Sequence, residues 1–188
     1  MSEKYNIAVV GATGSVGREI IQILEQREFP INNIYFLASS KSQGSKILYN
    51  GAEIIVEDLS KFDFTKVQIA LFSPGASVSS DFAPKAAAKG TIVIDNTSYF
   101  RMQKNIPLIV PEVNAEVLED FFTNDNDTHI ISNPNCSTIQ MLVALKPLHD
   151  AAIINRIVVS TYQSVSGAGK NGMDELFKQT QNIYTNKT

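Results

Sequence analysis

The sequence predicts an α/β protein built on a doubly wound, mainly parallel sheet. Three observations carry that prediction. Short, nearly all-apolar runs alternate with stretches of helical periodicity, as strands buried on both faces do when helices connect them. The triplet Gly11, Gly14 and Gly17 separates the first apolar run from the first helical stretch. Several later runs end in small polar residues, where a sheet of this kind opens onto its ligand crevice.

Tyr5 to Val10 reads as the first buried strand. Beyond it Val16, Ile20, Ile21 and Leu24 recur at helical spacing until Phe29-Pro30 closes the unit. Strand, glycine turn and helix are the setting a dinucleotide fingerprint needs. Gly11 permits the turn, Gly14 lets backbone approach a pyrophosphate, and Gly17 lets helix and strand pack closely. The helix start then offers unpaired N–H groups to phosphate, making Thr13, Ser15 and Val16 candidate contacts with Gly11 and Gly14. The spacing is G-x-x-G-x-x-G rather than G-x-G-x-x-G, so an ordinary strand-to-helix turn stays open on this motif alone.

The second strand is expected at Ile34–Ala38. An NAD-preferring site would end it with a carboxylate on the ribose; here Ser39-Ser40-Lys41-Ser42 follows. Hydroxyls beside a cation suit a 2′-phosphate, so Ser39, Lys41 and Ser42 point to NADP, with a plain polar loop as the alternative. Gly44 and Asn50-Gly51 punctuate short strands at Lys46–Leu48 and Ala52–Val56, a possible hairpin. Val67–Phe72 is the next buried strand, and the small residues Ser73 and Gly75 after it would let a cofactor lie close. A helix is expected from about Asp81 to Lys89, with Pro84 in its first turn and Gly90 at its stop. Thr91–Ile94 reads as a strand, Val113–Phe122 as an amphipathic helix, and Asn124–Asp127 as an exposed polar turn.

His129-Ile130-Ile131 leads as a strand into Ser132-Asn133-Pro134-Asn135-Cys136, and a helical pattern leads out through Ile139, Leu142, Val143 and Leu145. A thiol at a helix N-terminus loses its proton more readily and becomes nucleophilic. A lone cysteine is more often an inert buried thiol, and this stretch alone leaves both readings open. Pro147 is expected to break the helix. A strand at Ile153–Tyr162, ending near Gln163, and a helix from Met173 to about Tyr184 complete the chain. The first domain is expected to span 1–132 and the second 133–188.

The 188 residues suffice for one large domain or one domain and part of another. A net charge of -3 without a like-charged run argues against nucleic acid and anionic membranes as partners. The single cysteine excludes an internal disulfide, and the apolar segment after Met1-Ser2-Glu3-Lys4 is too short for a signal or a span. A cytoplasmic protein is expected. A short-chain reductase or epimerase would need Tyr-x-x-x-Lys, which is absent.

Five segments, in order, resemble the aspartate-β-semialdehyde dehydrogenase family. They are Gly11-Ala12-Thr13-Gly14-Ser15-Val16-Gly17; Asp95-Asn96-Thr97-Ser98 with Arg101; Val110-Pro111-Glu112-Val113-Asn114; Asn133-Pro134-Asn135-Cys136-Ser137-Thr138; and Thr161-Tyr162-Gln163 leading to Ser166-Gly167-Ala168-Gly169. The resemblance covers essentially the whole chain. It implies a Rossmann-like NADP domain followed by the start of an α+β catalytic and dimerisation domain. It also implies the NADPH-dependent, phosphate-releasing conversion of L-4-aspartyl phosphate to L-aspartate 4-semialdehyde, on the path to lysine, threonine and methionine. In that scheme Cys136 is the nucleophile and Gln163 orients the intermediate. Arg101 holds phosphate, Asn135 lines the pocket, and Asn96 and Gly167 reach the cofactor. No metal is implied, and family members are homodimers. The family also keeps a catalytic histidine and a second, substrate-binding arginine downstream of Gln163. Here the histidines are His129 and His149, and only lysines (Lys170, Lys178, Lys187) follow Gln163 as cations. The alternative expectation is therefore a shortened remnant that binds NADP without turning over.

Overall fold

The computed structural model describes residues 3–123 and 128–185, so the turn expected at Asn124–Asp127 lies outside the described residues. The chain separates into two compact units, Met1–Ile154 and Asn155–Thr188.

In the first unit seven strands form one sheet: β1 (Tyr5–Val10), β2 (Ile31–Ala38), β3 (Lys46–Tyr49), β4 (Ala52–Asp58), β5 (Ile69–Phe72), β6 (Ile92–Asp95) and β7 (Ile130–Ser132). Their order is β3-β4-β2-β1-β5-β6-β7, and every neighbouring pair is parallel except β3–β4. The order reverses direction at β1, flanked by β2 and β5, which is where such sheets open a crevice.

The period-2 alternation of β1 supplies two cores. Ala8 and Val10 pack with Leu37, Phe72 and Val93 and with Ala83 and Ala86 of α2 (Ala76–Ala87). Val9 packs with Phe36, Val56 and Ile21 of α1 (Ser15–Gln26). Helices therefore cover both faces, which is why β1 reads as uninterrupted apolar sequence. Burying each side chain of this size stabilises the unit by about 1.5–3 kcal/mol. The hairpin is present: Asn50 (φ 48°) and Gly51 (φ 77°) form the two-residue turn that joins β3 to β4.

Three expectations in this unit are corrected. Helix α2 starts at Ala76, not Asp81, so Pro84 sits in its interior. The first turns are rich in poor helix formers, but Ser79 is wholly buried and its hydroxyl anchors on Asp95, so packing overrides propensity. The helix expected at Val113–Phe122 is split into α3 (Pro111–Asn114) and α4 (Val117–Thr123). Asn114 turns back on its own helix start, accepting from the Val110 amide and donating to the Leu108 carbonyl, which competes with continuing the helix. Pro147 does not break α5, which runs from Cys136 to Ala151. The proline forgoes one backbone donor, while Lys146 reaches Asp150 across the same turn at 2.6 Å.

The second unit holds a 3-10 turn at Val165–Ala168 and α6 (Gly169–Thr185). The strand expected at Ile153–Tyr162 is not formed; among the described residues this segment has no ladder partner. A strand needs a second backbone for its N–H and C=O groups, and no periodicity supplies one. Val158 and Tyr162 are accordingly exposed. No helix among the described residues is long and apolar enough to cross a membrane.

Candidate functional site

The crevice at the strand reversal is a cavity of about 460 Å³. Its walls come from four strand ends. Gly11, Thr13 and Gly14 follow β1; Ala38, Ser39 and Ser40 end β2; Asp58, Leu59 and Ser60 end β4; and Ser73 and Pro74 follow β5, with Val78 and Phe82 from α2. The glycine geometry is steric. Gly11 has φ +85°, and a Cβ there would lie 2.9 Å from the Pro74 backbone. A Cβ on Gly17 would collide with the Gly11 carbonyl. Gly14 is the N-cap of α1, so that helix offers its unpaired N–H groups from the wall of the cavity.

Sequence reasoning missed the contribution of β4. Ala38 and Asp58 are ladder partners, so the end of β4 lies beside the end of β2 although 20 residues separate them in the chain. The Asp58 side chain is 6% accessible. Its Oδ1 accepts from the Ser60 amide at 3.0 Å and the Ser60 hydroxyl at 2.8 Å. Those bonds, the hydroxyl's first, hold its carboxyl below the usual carboxylate range. The sequence after β2 offers no carboxylate where an NAD-preferring site would have one, but the ladder brings Asp58 beside that strand end. The Asp-Leu-Ser run at the end of a strand was the available signal.

The other expected cofactor residues fall nearby or elsewhere. Lys41 and Ser42 lie on the short 3-10 turn Ser40–Ser42 that leaves the wall, with Lys41 exposed. Ser15 and Val16 begin α1, and Gly75 caps α2 with φ +99°. Asn96 follows β6; its carbonyl accepts from Arg101. Gly167 lies in the second unit, where Gln163 folds against it: a Cβ on Gly167 would meet Gln163 Nε2 at 3.1 Å.

Cys136 is the first residue of α5 and is exposed, so it is not a buried thiol. Asn135 is the N-cap; its Oδ1 accepts from the Ser137 amide at 3.0 Å and lies 4.0 Å from Cys136 Sγ. Hydrogen bonds from neighbouring segments hold the loop leading to this pair. Arg101 Nε donates to the Asn133 carbonyl at 2.9 Å and its Nη2 to the Asn96 carbonyl at 3.2 Å. The Asn133 amide donates to the Asp95 carbonyl. The Asp95 carboxylate, wholly buried, accepts from Ser79 and Thr97 at 2.7 Å each. Burial pushes its carboxyl up, against the pull of those two hydroxyls and the Arg101 charge. His149 lies in the last turn of α5, where its Nδ1 accepts from the Ile154 amide. Among the described residues no group of three or more His, Cys, Asp or Glu is placed to hold a metal ion.

The chain matches known proteins in sequence and in fold. Residues 6–121 match the family model described as semialdehyde dehydrogenase, NAD binding domain, and residues 145–188 the one described as semialdehyde dehydrogenase, dimerisation domain. Aspartate-semialdehyde dehydrogenase 2 of Vibrio cholerae is 52% identical over 97% of this chain and 53% of its own length. The chain belongs to the aspartate-semialdehyde dehydrogenase family. A crystal structure of aspartate semialdehyde dehydrogenase II from Vibrio cholerae superposes with a TM-score of 0.90 at 50% identity, over 99% of this chain and 54% of that one. The Candida albicans aspartate semialdehyde dehydrogenase, solved with NADP, superposes with a TM-score of 0.66 at 25% identity, over 81% of this chain and 48% of that one. The chain thus spans about half the length of the curated relatives it matches. Within the family the α/β sheet and the NAD-binding domain are shared features of this chain.

Proposed function

We propose that this chain carries the cofactor site and the nucleophile of an aspartate-semialdehyde dehydrogenase that reduces L-4-aspartyl phosphate to L-aspartate 4-semialdehyde with release of phosphate. The observation that carries the reading is an exposed cysteine at the N-terminus of α5, on the same sheet as a glycine-walled crevice. The cavity fits a dinucleotide: a helix N-terminus for the pyrophosphate, apolar walls for a ring, and a glycine turn where a Cβ would close the space. Gly11, Thr13, Gly14, Ser15 and Val16 would hold the pyrophosphate side, and Ser73, Gly75 and Asn96 would lie along the molecule; Gly167, in the second unit, is assigned to the cofactor by the family resemblance alone. Ser39, Lys41 and Ser42 favour NADP, the cofactor named with the Candida albicans enzyme.

Cys136 Sγ would bond to the acyl carbon of aspartyl phosphate while the C–O bond to phosphate breaks with its electrons, leaving a thioester on the protein. When bound, NADPH would supply the hydride that reduces this thioester. Cys136 leaves as thiolate when the aldehyde forms. Arg101 has three N–H groups beyond those given to Asn133 and Asn96, enough to take two phosphate oxygens. Asn135 positions the thiol, and Gln163, in the second unit, is assigned to the intermediate by the family resemblance alone. The functional division is proposed at 132/133, with α5 and its cysteine counted in the catalytic and dimerisation part. A homodimer in the cytoplasm is the accompanying proposal, with residues 145–188 matching the dimerisation model in support.

The test is phosphate-dependent NADPH formation from aspartate semialdehyde by the 188-residue chain, with Cys136→Ser alongside. Turnover that Cys136→Ser abolishes, with NADP binding intact in both proteins, is the expected outcome for a competent chain. NADP binding without turnover by either protein favours the second reading, a chain that binds the cofactor only; its support is the place of His149, whose Nδ1 accepts from the Ile154 amide.

A further inference from the structure

We propose that Asp58 reads the base of the bound dinucleotide, its Oδ2 accepting a hydrogen bond from the exocyclic amine of adenine. The inference rests on the cofactor reading above and adds a specificity determinant to it. Parallel pairing places Asp58 one strand further out than the end of β2, the position that meets the ribose in sheets of this kind. Leu59, Pro74, Val78 and Phe82 line the same cavity, apolar groups suited to a flat ring. Asp58 and Ser60 form the polar edge of the same wall.

The carboxylate is oriented by its own turn. Oδ1 is committed to the Ser60 amide and hydroxyl; among the described residues Oδ2 faces the exposed Lys61 ammonium at 3.8 Å. An ionised carboxylate accepts and cannot donate. Adenine presents an amine at its six-position, whereas hypoxanthine and guanine present a carbonyl oxygen there. Asp58 therefore favours adenine and repels the other two.

The experiment is isothermal titration of the full chain with NADP and with its hypoxanthine analogue, repeated on Asp58→Asn. Asparagine keeps an oxygen for Ser60 and turns the second position into a donor. The wild type is expected to bind the adenine form about tenfold more tightly, the worth of one such hydrogen bond. Asp58→Asn is expected to lose or invert that preference. Equal binding of both forms by the wild type overturns the inference and leaves the cofactor reading standing. An unchanged adenine preference in Asp58→Asn overturns it too, as does a variant that alters only the NADP-to-NAD ratio, which would assign Asp58 to the ribose. Binding of neither form by the wild type overturns the cofactor reading, and this inference with it.

Discussion

Asp58 and Asp95 end parallel strands on opposite sides of β1, both nearly inaccessible and both bonded by neighbouring hydroxyls, yet their carboxyls shift in opposite directions. Asp58 is thinly covered, at the wall of an open cavity, and an amide and a hydroxyl of Ser60 favour its charged form. Asp95 is enclosed between β5, α2 and the loop after β6, where losing water outweighs two hydroxyl bonds and a nearby guanidinium. Position along a strand does not decide how a carboxylate behaves; the depth of protein around it does. One belongs to the wall of an open cavity. The other is a structural anchor, whose carbonyl also carries the loop leading to Cys136.

Removing the anchor sharpens the contrast most. Asp95→Ala leaves the Ser79 and Thr97 hydroxyls without their acceptor in the core, and urea unfolding should show a loss of about 2–4 kcal/mol. A loss under about 1 kcal/mol would place Asp95 in the same class as a surface carboxylate. At the cavity end, Lys41→Glu should weaken NADP on the order of tenfold while leaving NAD little changed, as titration would show. Equal effects on both cofactors would break the assignment of Lys41 to the 2′-phosphate.

The smallest effect is the pH dependence, and its sign differs between the two. The native carboxyl of Asp95 is raised above its ordinary value of 3.8, so its contribution to stability is full below that value and is lost as pH rises through the raised one. That of Asp58 is lowered from 3.8, so its contribution is present above that value and is lost as pH falls through the lowered one. Urea midpoints from about pH 3 to about pH 7 should therefore lose opposite parts of their slope in Asp95→Asn and Asp58→Asn. Parallel changes in the two variants would contradict the comparison.

The sequence by itself determined what is local. Gly11, Gly14 and Gly17 set the first turn, Asn50-Gly51 sets the hairpin, and Asn135 before Cys136 sets the helix start, because each acts through backbone torsions and neighbours within a few residues. The burial of β1 on both faces was legible in its uninterrupted apolar run. Only the tertiary structure decided which strand ends meet. Asp58 lies beside Ala38 through a ladder, Ser79 holds a helix turn that propensity would not start, and residues 153–162 stay without a strand for lack of a partner. Pro147 stays inside α5 because a helix continues past one lost donor when the residues on either side still bond. Pairing between distant segments leaves no period in the sequence, since the partner's backbone, not the residue's own side chain, supplies the bond.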